Sequence, residues 1–263
     1  MTAAEAYEQF LVPAIFEPWA LNVLRAHPPP RGSRVLDIAC GTGIGARSAA
    51  GLVGPAGRVD GVDVDDAMLA VARAARPRPG SAPVAWHHAS ALNLPFADGA
   101  FDAALCFEGL QFFPDRAAAL REVRRALRAG AAFLATVWGP LEQNPAYEAL
   151  ALALRDFVSE AAARLPPFAL TDADTIRTMV RAAGFAEISV TLETLTLELP
   201  SAEDLVDWVA AGGPTMRHSL AMLPAERRRE FSSAVAARLE RYRNAGGLSV
   251  PSARNVIAAR AAG

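Results

Sequence analysis

Residues 34–50, RVLDIACGTGIGARSAA, decide how this chain is read. The apolar run from Val35 to Ile38 carries one aspartate, Asp37, and then meets Gly41, Gly43 and Gly45. Small residues follow. The pattern is a strand, a tight turn and the start of a helix. Gly41, Gly43 and Ala46 satisfy the G-x-G-x-x-G/A spacing of a dinucleotide-binding turn. Spacing alone leaves the ligand open.

Strand and helix signals alternate outward from this turn. RVDGVDV at 58–64 reads as a strand, and DAMLAVARAAR at 66–76 as a helix ended by Pro77. Residues 82–89 and 101–110 read as strands. Residues 115–130 read as a helix with Leu120, Val123 and Leu127 on one face and Gly130 at its end. Residues 131–138 form the next strand. Such alternation predicts a doubly wound, mostly parallel α/β sheet of Rossmann-like type. Ligands in these sheets sit at the carboxyl ends of the strands. The residues to watch are therefore 37–45, 63–68, 90–93, 106–112 and 137–147.

The flanks read differently. Residues 5–27 are helical, with Pro13 and Pro18 expected to break them into pieces, and 28–33 are a linker. Residues 171–185 form a helix, with Thr171 as its N-cap and Gly184 as its stop. Residues 187–200 are a strand whose apolar phase reverses between Leu192 and Leu195, which predicts a bulge near Glu193–Thr194. Residues 201–243 are helical, and a short strand closes the chain at 254–261. We expect one domain over 1–263. Its parts are a helical cover (1–30), a ligand-binding core (33–140) and helical lid segments (141–170 and 201–250).

Bulk composition excludes several classes. Hydrophobic residues make up 52% and charged residues 21% of the 263, which suits a folded globular chain. The formal net charge of -2 gives no global field for a phosphate backbone, so no nucleic-acid partner is expected. All 26 basic residues are arginines. No apolar run reaches a membrane span, and the first residues lack a secretory pattern. Two cysteines, Cys40 and Cys106, build neither a disulfide framework nor a metal site. The expectation is a cytoplasmic protein with no metal and no membrane partner.

Three features beyond the turn favour a cationic nucleoside ligand over a dinucleotide. Asp37 precedes Gly41 by four residues, where a carboxylate would crowd a pyrophosphate but suits a sulfonium and an ammonium. Asp63 ends the second strand and can accept both ribose hydroxyls, a feature that dinucleotide folds share and that marks a nucleoside without saying which, and Met68 is placed to lie against a base. The third feature is the segment from Ala89 to Trp138. VLDIACGTG, LPFADGAFD and FFPDRAAALREVRRALRAGAAF together resemble class I S-adenosylmethionine-dependent methyltransferases, in the small-molecule branch that includes the ubiquinone and menaquinone C-methyltransferases. The likeness is strong over about 33–140 and looser over 170–200 and 255–261.

That resemblance implies a seven-stranded sheet, S-adenosyl-L-methionine as cofactor and S-adenosyl-L-homocysteine as product. It implies that Asp37, Gly41 and Gly43 hold the methionine portion, with Thr42 nearby. Asp63 would take the ribose, and Val64 and Met68 would line the adenine. Ala91 would offer a backbone N–H to that ring, against which Leu92 packs. Cys106, Phe107 and Gln111 would lie beside the methionine chain and the reactive methyl. Two positions depart from the family pattern. Ala39 stands where glycine is usual, and Ser90 stands where many relatives carry an aspartate.

The expected reaction is methyl transfer to a small-molecule acceptor by in-line displacement, with proximity supplying most of the rate. Glu108, directly after the fourth strand, is the first candidate base, and His218 the second. His87 and His88 read as structural or surface residues. Tyr147 reads as a substrate contact or a packing residue. Tyr7, Phe16, Trp19, Trp208, Met216 and Met222 would roof an acceptor pocket suited to a partly apolar or aromatic molecule. The alternatives are a cofactor-binding protein without catalysis and an NAD(P)-dependent oxidoreductase. The second lacks a Tyr-x-x-x-Lys pair, since the chain has no lysine.

Overall fold

The computed structural model describes residues 1–213 and 216–263, with only the backbone of Ala225 described. Five parallel strands form the centre of one sheet: β1 (Arg34–Ile38), β2 (Arg58–Asp63), β3 (Val84–His88), β4 (Phe101–Phe107) and β5 (Leu127–Trp138). Then come β6 (Phe185–Leu199), β7 (Arg243–Asn244) and β8 (Gly247–Ala261). The sheet order is β3-β2-β1-β4-β5-β8-β6, with β8 antiparallel to both neighbours and the two-residue β7 paired to β8 off this path. The seven-stranded path matches the expectation.

Two apolar layers cover the sheet. One holds Trp19, Val23, Ala46, Ala49, Leu150, Leu154 and Leu205; the other holds Leu120, Val123, Phe133, Ile176, Val180 and Phe185. Strands buried on both faces explain the near-continuous apolar runs of β1 and β4. The order reverses direction at β1 and β4, and the turn after β1 lies at that switch point.

Several boundaries differ from the expectation. The N-terminal prolines do not break the helix. Helical backbone runs through 3–26, with a π-helical stretch at Tyr7–Phe16 that contains Pro13. The wider winding accommodates a ring that an α-turn would press against the preceding carbonyl. Pro18 sits in the first turn of the Glu17–Ala26 helix.

The Arg116–Ala126 helix stops before Leu127, which opens β5; Gly130, with φ +75°, lies inside that strand. Pairing passes from Phe101↔Leu127 to Ala103↔Ala132, so extra residues on β5 form a bulge there. The Ala173–Ala182 helix is capped by Asp172, whose carboxylate accepts the Thr175 N–H, and not by Thr171. Gly184 ends it as expected, at φ +91°.

No bulge occurs at Glu193–Thr194. Pairing of β6 with β8 is continuous from Ser189 to Leu199, and the irregularity lies between Ala186 and Ser189, where Glu187 has φ +48°. The apolar phase reverses because the strand changes layers. Ile188 and Val190 pack on one layer, whereas Leu195, Leu197 and Leu199 pack on the other. The closing strand is also longer than expected. It begins at Gly247, and residues 248–253 pair with β6 beyond the end of β5. This two-stranded arm carries the helices Ala202–Gly212, Arg217–Ala221 and Ala225–Leu239.

Candidate active site

Backbone geometry at the β1 end fixes the site. Ala39, Gly41 and Gly43 all have positive φ, at 55°, 54° and 92°. The turn therefore doubles back tightly, and the helix at Ile44–Val53 starts directly behind it. A Cβ on Gly43 would run into the Trp86 ring of β3. A Cβ on Gly45 would lie 2.8 Å from Asp37 Oδ2 and 3.2 Å from Phe107. Glycine at both positions is thus a packing requirement.

Two cavities meet over this turn, sharing Tyr7, Ala39, Gly41, Phe107 and Glu108. The outer one, of about 420 Å³, is bounded by Asp63, Val64, Met68, Ser90, Ala91, Leu92 and Phe112. The inner one, of about 40 Å³, is bounded by Asp37, Thr42, Phe16, Trp19 and Thr136. Most of the residues singled out from sequence are thereby brought together.

Asp63 joins the two loops. Its carboxylate accepts the Gly41 N–H at 2.8 Å and the Asp65 N–H at 2.9 Å, which leaves further lone pairs free. Burial nevertheless raises its pKa above the usual carboxylate range. Asp37 is more extreme. It is 2% exposed, its Oδ2 has no partner, and burial raises its pKa to about 7. An uncompensated buried carboxyl of this kind favours a cation beside it. Ser90 Oγ accepts the Leu92 N–H at 3.1 Å, so its hydroxyl hydrogen remains free to donate. The residues present therefore fit a cationic nucleoside: Asp37 for an ammonium, Asp63 for a ribose, and Val64, Met68 and Leu92 for a base.

Other expected residues lie elsewhere. Gly43, Cys106 and Gln111 bound neither cavity. Cys106 faces the opposite core layer, since side chains alternate along β4 and Phe107 takes the site face. Gln111 is buried and its Nε2 donates to the Glu108 carbonyl, so it supports the loop that follows β4. His218 is exposed on the short Arg217–Ala221 helix and bounds neither cavity. His87 pairs with the buried Asp60 at 2.9 Å, and His88 Nε2 lies 2.9 Å from the Val64 carbonyl; both are structural.

The cover forms in part as expected. Tyr7, Phe16 and Trp19 bound the inner cavity, and Tyr7 stacks on Phe16 at 5.0 Å. Trp208 stacks on Phe10 at 5.8 Å, and Met216 is buried, but neither reaches the cavity walls; Met222 is exposed. The insertion thus braces the N-terminal helix, and none of its described residues bounds either cavity. Tyr147 is buried against Trp138, with ring centroids 4.3 Å apart.

Sequence reading missed one group entirely. Arg254 of β8 is 0% exposed, and its Nε donates to Glu108 Oε1 at 2.7 Å. Its Nη1 donates to Ser252 Oγ at 2.7 Å and to Asn144 Oδ1 at 3.1 Å. Glu108 itself has φ +59° and bounds both cavities. No sequence motif marks this pair, because 146 residues separate its members.

Residues 36–135 match the family model described as a methyltransferase domain. The chain is 43% identical over 114 residues to 2-phytyl-1,4-naphtoquinone methyltransferase of Synechococcus elongatus, a match covering 43% of this chain and 49% of that one. It is 31% identical over 164 residues to the O-methyltransferase cnsE of Penicillium expansum, covering 62% and 55%. The chain thus spans about half the length of the curated relatives it matches. Its fold is similar to that of the YcgJ protein from Bacillus subtilis, with a TM-score of 0.61 at 21% identity, over 94% of this chain and 99% of that one. Among the described residues no helix is long and apolar enough to cross a membrane.

Proposed function

We propose, from the premise that residues 36–135 form a methyltransferase domain, that this protein transfers a methyl group from S-adenosyl-L-methionine to a small, partly apolar acceptor. The observation that carries this is the pairing of Asp37 with Asp63 across one glycine turn. The first is a buried carboxyl with an unpartnered oxygen, and the second reaches the outer cavity. A pyrophosphate would find an acidic wall there; a nucleoside sulfonium finds charge complementarity.

The cofactor, when bound, supplies a methyl group already activated on a sulfonium. The chain's own work is placement. Asp37, Gly41 and Thr42 hold the amino-acid end, and Asp63 and the Ser90–Leu92 loop hold the nucleoside. Tyr7, Phe16 and Trp19 exclude water from the inner cavity. Alignment of an acceptor at about 3–3.5 Å is worth roughly 7–11 kcal/mol of barrier. Glu108 stands where the two cavities meet and serves as proton acceptor. The naphthoquinone-type substrate in the relative's name and the apolar walls support an aromatic acceptor. We place the reaction in the cytoplasm, a reading supported by the two unpaired thiols.

Calorimetry tests the reading. S-adenosylhomocysteine binds and NAD does not. Binding of NAD without S-adenosylhomocysteine overturns it. Label transfer from methyl-labelled S-adenosylmethionine to a panel of aromatic acceptors then separates an enzyme from a non-catalytic binder.

A further inference from the structure

The Glu108–Arg254 pair is incomplete in a specific way. A guanidinium presents its Nε and Nη2 hydrogens on one edge, a fork suited to both oxygens of a carboxylate. Here only Nε meets Oε1, at 2.7 Å. Arg254 Nη2 and Glu108 Oε2 are both buried and both without a partner. Leaving a charged donor and a charged acceptor unmatched is costly, so such atoms call for explanation.

The surroundings hold the pair firmly. The guanidinium carbon lies 3.1 Å from the Trp138 ring centroid and 5.3 Å from that of Trp19. Asn144 receives Arg254 Nη1 and also bonds the Ala253 backbone, with Oδ1 accepting its N–H at 3.0 Å and Nδ2 donating to its carbonyl at 3.2 Å. Glu108 meanwhile sits in the left-handed region at φ +59°, which a glutamate adopts only when its surroundings impose it. Nearby, Thr136 Oγ1 on the inner cavity wall is also buried without a partner.

We propose that Arg254 is a positioning residue that fixes Glu108 for an acceptor bearing a hydroxyl group, of the phenol or hydroquinone class. This rests on the methyl-transfer reading above. Glu108 and Thr136 both bound the inner cavity, and a phenolic hydroxyl there can donate to the unpartnered Oε2 while accepting from the unpartnered Thr136 hydroxyl, whereas an arylamine donates but accepts poorly because its lone pair is delocalised into the ring. An ammonium has no lone pair to accept from Thr136, and a carboxylate would meet only acceptors at Oε2. As the bond from the hydroxyl oxygen to the methyl carbon forms, the carbon–sulfur bond breaks and its electron pair stays on sulfur. The hydroxyl proton passes to Glu108 Oε2. The products are a neutral methyl ether, a neutral thioether and a protonated carboxyl.

The test uses the full chain loaded with S-adenosylhomocysteine and three probes of one shape: 1-naphthol, 1-naphthylamine and naphthalene. Binding is read by calorimetry for the parent, Glu108→Gln, Arg254→Gln and Arg254→Lys. The parent is expected to bind naphthol at least tenfold more tightly than the other two. Glu108→Gln and Arg254→Gln lose that preference, and Arg254→Lys restores part of it. Affinity for naphthalene stays within about threefold throughout. Glu108→Gln keeps the side-chain shape and so remains informative if Arg254→Gln fails to fold. Naphthol that binds no better than naphthalene, or does not bind, overturns the proposal, as does a preference that survives in Glu108→Gln. Loss of S-adenosylhomocysteine binding by the parent would instead sink the methyl-transfer reading.

Discussion

Trp86 occupies the space that a side chain on Gly43 would need. The indole of β3 lies under the turn that follows β1, and its ring also meets the position a Cβ would take on Gly61. One aromatic side chain thus holds the floor of the turn across two strands. The contact dictates a difference between two glycines that look equivalent in sequence.

Gly43→Ala meets both a left-handed backbone at φ +92° and the Trp86 ring, whereas Gly41→Ala at φ +54° meets nothing within 4 Å. Left-handed strain costs roughly 1–2 kcal/mol, and overpacking adds about 1–3 kcal/mol. Urea denaturation should therefore show Gly43→Ala less stable than Gly41→Ala by at least about 1 kcal/mol. Equal losses would remove Trp86 from the explanation.

Asp37 makes cofactor affinity depend on pH. Burial raises its pKa to about 7, so the free protein holds a proton there below that pH. An ammonium beside it favours the carboxylate, and binding then expels the proton. Affinity for S-adenosylhomocysteine should rise with pH by up to about tenfold per unit, and level off above about 7. Asp37→Asn should bind more weakly and lose this dependence between pH 5.5 and 8. A flat profile in the parent would contradict the assignment.

Ala39 carries a cost that glycine would relieve. Its φ of 55° places a Cβ in the left-handed region, close to where one on Gly109 would fall. Ala39→Gly removes roughly 1–2 kcal/mol of strain and adds about 0.5–1 kcal/mol of chain entropy. A net gain of about 0.5–1 kcal/mol is expected in thermal or urea unfolding. A loss of stability would mean that the Ala39 methyl packs better than its backbone suffers.

Asp60 ties β2 to its neighbours. Burial alone would raise its pKa, but hydrogen bonds from His87, Arg58 and Arg34 outweigh that and hold it below the usual carboxylate range. A depressed carboxyl stabilises the fold above the unfolded-state pKa of about 3.9, and that stability is lost as pH falls below it. Asp60→Asn should cost about 1–3 kcal/mol at pH 7 and progressively less towards pH 3. Parallel pH–stability curves for parent and variant would refute this.

Much of the fold was legible in residues 34–138. Strands buried on both faces give unbroken apolar runs, and helices between them show their period. Boundaries failed where a local signal had a second use. Gly130 ends no helix, because its positive φ serves the bulge of β5. The reversed phase of β6 marks a change of packing partner, a long-range fact that alternation alone reports as a bulge.

The sequence by itself determined the glycine turn, the two aspartates that flank it and the class of ligand they suit. These lie within 27 residues of one another, on consecutive strands whose connection is local. Only the tertiary structure decided that Cys106 and Gln111 turn away, that His218 stands apart and that Glu108 is paired to Arg254. The reason is physical. Which face a side chain takes depends on the neighbouring strand, and a buried charge finds its partner in space. Arg254 reaches Glu108 because β8 runs antiparallel beside β5, which sets Arg254 opposite Trp138 at the edge where Glu108 follows β4.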